Sequence, residues 1–112
     1  MSVEASGQVG VVRAAGALDW RTAEEFAVEL RDAVGSGTPL VVVDLAAVTF
    51  ADSVALNAMV AARRDLLARG GDLVLAGRLA PGVRRLFELT GTVGHFTFVE
   101  DVEDVDDAVP AH

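Results

Sequence analysis

The chain contains no cysteine, and none of its nine basic residues is lysine. Without thiols there are no disulfides, no thiol catalysis and none of the usual structural zinc sites. Two histidines, His95 and the terminal His112, leave too few ligands for another metal cage. The scattered glycines form neither a phosphate-binding loop with its lysine nor a dinucleotide fingerprint, so no cofactor is expected. A run of about 18 apolar residues is missing too, as is a basic start followed by an apolar segment. The expectation is a soluble cytoplasmic protein with neither membrane span nor secretory signal.

Positive charge is also scarce. The formal net charge is −8, but Glu100, Asp101, Glu103, Asp104, Asp106 and Asp107 supply six of the seventeen acids. The other 106 residues carry eleven acids against nine arginines, close to neutral. A chain of this balance has no basic field for nucleic acid, and its acidity favours solubility without naming a ligand.

What is present is apolar material: 112 residues, 52% hydrophobic, enough for one domain around one core. Val3, Val9, Val11 and Val12 among small residues suggest a strand or hairpin, with Ser6-Gly7 as a possible turn. Gly16-Ala17-Leu18-Asp19 then leads into a helix capped by Asp19, whose stripe is Ala23, Phe26, Ala27, Leu30, Ala33 and Val34. Gly35-Ser36-Gly37 ends that helix, and the run Leu40–Leu45 reads as a strand buried on both faces.

The stretch Thr49–Asn57 reads as the junction between this strand and a second helix carrying Leu56, Met59, Val60, Leu66 and Leu67. Asp52-Ser53 falls where an N-cap belongs, at an end with free N–H groups and partial positive charge. After Gly70-Gly71, residues 72–77 read as another strand buried on both faces, and Pro81 opens a helix with Val83, Leu86, Phe87 and Thr90 on one stripe and Gly91 as its stop. Phe96–Val99 make a last strand, and Val102, Val105 and Val109 suggest a final acidic helix. Alternating strands and helices build a mostly parallel sheet with helices packed on it.

The ordered segments Gly16-x-Leu18-Asp19-x-x-Thr22-Ala23-x-x-Phe26, Val42-Val43-Asp44-Leu45 and Val48-Thr49-Phe50-Ala51-Asp52-Ser53 resemble a known family. With Gly70–Leu75 and Val83–Gly91 added, the chain is similar to STAS domains of the bacterial anti-sigma factor antagonist group, from about residue 9 to 109. The resemblance implies one α/β domain over residues 1–112, with a four- to five-stranded mixed sheet, mostly parallel at its core, and about four flanking helices. It also implies a partner switch and not an enzyme. The unmodified domain binds an anti-sigma factor that is often a serine kinase; phosphorylation releases it, and a phosphatase reverses the step.

In the family the acceptor lies in an Asp-Ser-Ser/Thr-Gly-Leu-Gly motif, where this chain has Asp52-Ser53-Val54-Ala55-Leu56-Asn57. One hydroxyl remains, and Ala55 and Asn57 replace the glycines, so a kinase is expected to approach past an added methyl and an amide. Ser53 is the expected phosphoacceptor; the plainer reading is a helix cap. Asp19, Trp20, Asp52, Ser53, Asn57 and Arg64 are the expected partner-binding residues. Asp19 also reads as a cap, Trp20 as either core plug or interface anchor, and Arg64 lies about 16 Å along the helix from Ser53 at 1.5 Å per residue. His95 beside Phe96 has no second histidine or nucleophile and reads as structural. A different reading is an adaptor that is never phosphorylated, either a constitutive antagonist or a subunit of a complex such as a lipid-transport ATPase.

Overall fold

Five strands and three helices follow the alternation expected from the sequence. The computed structural model describes residues 2–6 and 8–104. The strands are β1 (Ser2–Ser6), β2 (Val9–Leu18), β3 (Leu40–Ala51), β4 (Asp72–Ala76) and β5 (Thr97–Val99). The helices are α1 (Thr22–Gly35), α2 (Ser53–Ala68) and α3 (Pro81–Thr90), with short 3₁₀ turns at Val93–His95 and Val102–Asp104. The sheet order is β1-β2-β3-β4-β5; β1 is antiparallel to β2, and the other pairings are parallel.

Each parallel neighbour is joined through one helix, and the order advances in one direction across the sheet. Crossovers of one hand therefore place all three helices on the same face. The main core confirms it: Phe26 and Leu30 of α1, Met59 and Leu66 of α2 and Phe87 of α3 pack with Val12, Val43, Leu45 and Leu75 of the strands. Full burial of each such large side chain contributes roughly 1.5–3 kcal/mol. The opposite face is buried as well, through Val11, Leu40, Val42, Val74 and Ala76, with Val102 packed against them. Val41, Val42 and Val43 are consequently all buried, as the unbroken apolar run implies.

Several boundaries differ from the sequence reading. Gly16–Leu18 are not the approach to a helix but the end of β2, which pairs on past a bulge to match Leu18 with Ala51. Gly16 takes φ 76° there, a left-handed conformation costly for a residue with a Cβ. β3 likewise runs to Ala51, so Thr49–Ala51 are strand and the junction shrinks to Asp52. On α2, Leu67 is exposed while Ala55 and Ala62 are buried, because close packing against α1 selects small residues on that flank. On α3, Thr90 faces solvent and its hydroxyl donates to the Leu86 carbonyl at 2.7 Å. Val102 opens a 3₁₀ turn; Val105 and Val109, expected on a fourth helix, lie outside the described residues.

No helix among the described residues is long and apolar enough to cross a membrane. No group of three potential metal ligands occurs among them either.

Candidate functional site

At the carboxyl end of the β2–β3 pair, Leu18 and Ala51 lie side by side, and the Asp52 N–H donates to the Leu18 carbonyl at 3.1 Å. Beyond this point the two chains diverge, one into the Asp19–Arg21 turn and one into α2. Asp19 and Asp52 are thereby placed next to each other in the fold, although 33 positions separate them in sequence.

Both aspartates are tied to their own helices. Asp19 Oδ1 accepts from the N–H of Arg21 and of Thr22, each at 3.2 Å, and lies 3.0 Å from the Thr22 hydroxyl. That hydroxyl accepts from the Asp19 N–H at 2.9 Å and has its shorter acceptor, the Ala17 carbonyl, at 2.6 Å. The hydrogen bond from the Thr22 backbone, then the Thr22 hydroxyl and the Arg21 N–H, hold the Asp19 carboxyl below its usual pKa. Asp19 therefore anchors the start of α1, as expected, from three positions before its first helical residue.

Asp52 is the N-cap of α2: its Oδ1 accepts from the N–H of Val54 at 3.0 Å and of Ala55 at 3.1 Å. The cap reading of Ser53 is thus corrected. Ser53 is the first residue of the helix, exposed, and its hydroxyl has no hydrogen-bond partner among the described residues. An extended backbone at Asp52, ψ −177°, turns the acid back over the helix end and leaves the serine facing outward. The helix end is also less open to an added anion than the sequence implies, because one carboxylate already takes two of its free donors.

The family motif departs here in two physically different ways. Ala55 is buried, so its methyl packs into the core and does not obstruct an approach to Ser53, contrary to the expectation from the sequence. Val54 and Asn57 are on the surface. Trp20 is 76% exposed, which decides between core plug and surface anchor in favour of the surface.

Phe50, not singled out from the sequence, is 49% exposed. It pairs with exposed Ala17, whereas the next pair, Leu18 and Ala51, is buried against the helices. Alternation along the strand sets Phe50 to the other face. β3 outruns β4, whose pairing ends at Asp44–Ala76, so no fourth strand shields this part. Asp19, Trp20, Phe50, Asp52, Ser53, Val54 and Asn57 all lie at this end of the molecule. Arg64 does not join them; it lies towards the far end of α2, beside Val60, Leu67 and His95. His95 is exposed in the turn that feeds β5.

A family model described as Mlab, STAS domain matches residues 1–100. Among solved structures, an anti-sigma factor antagonist from Mycobacterium paratuberculosis is 30% identical, with a TM-score of 0.84, over 96% of this chain and 91% of that one. The anti-sigma factor antagonist SpoIIAA in its unphosphorylated form is 21% identical with a TM-score of 0.79, over 98% of both chains. The phosphorylated form of the Bacillus SpoIIAA is 22% identical with a TM-score of 0.74, over 97% of this chain and 98% of that one. Among curated proteins no match is found.

Proposed function

We propose that this chain, which belongs to the STAS domain family, is an anti-sigma factor antagonist that binds an anti-sigma factor of the serine kinase type and is released when Ser53 is phosphorylated. The observation that carries the reading is the exposed Ser53 hydroxyl on the first turn of α2, unbonded among the described residues, in a chain 30% identical to an anti-sigma factor antagonist over nearly its whole length. The protein acts by binding and not by catalysis.

A phosphate on Ser53 adds roughly −1.5 to −2 charges and three acceptor oxygens. The Val54 and Ala55 N–H groups are engaged by Asp52, so the phosphate stands beside a carboxylate with little of the helix end left to neutralise it. A partner surface closed over the neutral serine then faces buried, unpaired charge, which is strongly unfavourable. Asp19 and Asp52 supply the polar part of that surface; Trp20 and Phe50 supply its apolar anchors, and Asn57 extends it along α2. Arg64 touches the partner only if the interface runs the length of α2. A phosphatase resets the switch.

Incubation with the cognate kinase and ATP, followed by location of phosphate by mass spectrometry, tests the proposal. Phosphate on Ser53 and none in Ser53→Ala is expected; an unmodified Ser53 removes the switch. A second reading, a constitutive adaptor, is favoured by the Mlab description of the matching model and by Val54 at the second hydroxyl position. Recovery of a transporter ATPase and no anti-sigma kinase by affinity capture selects it.

A further inference from the structure

An open groove of about 430 Å³ lies between α3 and β5, two strands over from β3 and apart from the Ser53 end. Its floor is aromatic: Phe87 and Phe98 meet edge to face with centroids 5.5 Å apart, and Phe96 braces both at 5.7 and 6.4 Å. Exposed Val93 closes one end. Around the rim stand Arg84 and Glu88 of α3, Arg78 after β4 and Glu100 after β5. None of these four charged side chains has an ion pair or hydrogen bond among the described residues.

The sheet edge beside the groove is equally unengaged. Among the described residues β5 is bordered by β4 alone, with Thr97 opposite Val74 and Val99 opposite Ala76. Gly77 donates to the Val99 carbonyl at 3.0 Å, so Val99 turns its backbone groups towards β4. Gly77 itself sits so close to β3 that a Cβ would fall 2.6 Å from the Ala46 nitrogen, which holds this corner of the groove in place. Backbone groups alternate between the two sides of a parallel strand. The N–H and C=O of Phe98 therefore point outward, beside a groove into which the same residue's ring projects.

We propose that this groove docks an extended peptide segment of a partner protein as a sixth strand against β5, with one large apolar side chain seated on the partly exposed Phe98 ring, which buried Phe87 backs, and charges of both signs flanking it. The outward Phe98 backbone selects an extended chain, as in recognition by strand addition. The balanced rim selects the flanking charges: an acid meets Arg78 or Arg84, and a base meets Glu88 or Glu100. A small ligand fits less well, since the groove is open along its length and the floor offers no buried polar group to orient one. With only three residues, β5 provides few backbone bonds, which guards the edge against indiscriminate pairing and leaves the groove to set specificity.

The test uses the whole 112-residue chain and a phage-displayed library of random nine-residue peptides, with selected peptides mapped by ¹⁵N NMR and amide exchange. Selected peptides are expected to share an apolar residue between charges, and to slow exchange of the Phe98 amide at least tenfold. The exposed double variant Arg84→Glu, Glu88→Arg is expected to keep the fold and weaken these peptides about tenfold. Three outcomes overturn the proposal: no peptide protects the Phe98 amide, the peptides map to Trp20 and Ser53 instead, or the free protein already protects Phe98 in a concentration-dependent way by pairing with a second copy.

Discussion

The Asp52 N–H is held by the Leu18 carbonyl at 3.1 Å, while the Asp52 side chain holds the first turn of α2. One residue thereby joins the end of the sheet to the helix that carries Ser53. Its two attachments make separate predictions for charge, stability and partner binding.

Asp52→Ala removes the cap and is expected to cost about 0.5–2 kcal/mol. For a domain of this size the midpoint of thermal unfolding falls by several degrees, at about 4–8 °C per kcal/mol. Asp52→Asn keeps an acceptor oxygen and is expected to lose less. Calorimetry on both variants checks the order.

Ser53→Ala is expected to leave stability within about 0.5 kcal/mol of the parent, since its hydroxyl makes no described bond. It is also expected to bind the anti-sigma factor and to accept no phosphate. Ser53→Glu introduces a charge at the closed surface and is expected to weaken that binding at least about tenfold. Titration calorimetry with the purified partner measures both.

Val54→Thr restores a second hydroxyl on an exposed position, 36% accessible, so the fold is expected to tolerate it. If the kinase reads both positions, mass spectrometry of the reacted protein shows phosphate divided between residues 53 and 54. Phosphate confined to Ser53 instead shows that Asp52 and the helix start, not hydroxyl supply, select the acceptor.

Trp20→Ala and Phe50→Ala truncate surface side chains and are expected to change the unfolding midpoint little. As anchors they are expected to cost the complex about tenfold or more each. Equal loss of thermal stability and affinity would instead assign them to the fold.

Asp19 makes a pH prediction. Its carboxyl is held below its usual pKa by hydrogen bonds that form only in the folded state. Its contribution is therefore fully present above the unfolded-state value, near pH 4, and is lost as the pH falls through the lower folded-state value. Asp19→Asn removes the titrating charge, so it is expected to lower stability at neutral pH, to match the parent once the pH is below the folded-state value, and thereby to flatten the acid limb of the curve. A carboxyl titration followed by NMR, with the Asp19 signal moving at or above pH 4, would contradict the assignment.

Much of the fold was legible in particular residues. The spacing of Ala23, Phe26, Leu30 and Val34 marks α1 because a helix repeats every 3.6 residues and one side must be buried. The solid run at Leu40–Leu45 marks a central strand because both faces are covered. The Ser53 hydroxyl and its neighbouring acid Asp52 were visible as letters too. Phe50 was not, because its exposure depends on how far β3 outruns β4, a relation between segments about 25 residues apart.

Local periodicity and residue chemistry suffice for the order of strands and helices, the two-faced burial of the middle strands and the single serine at the start of α2. The packing of elements on one another settled that Asp52 and not Ser53 caps the helix, that Ala55 faces inward, that Trp20 and Phe50 stand in solvent at the Ser53 end, and that Phe98 lies on the strand that borders the sheet among the described residues. Those outcomes rest on strand register and on which neighbour ends first. Backbone pairing across the sheet sets both, and no local pattern encodes them.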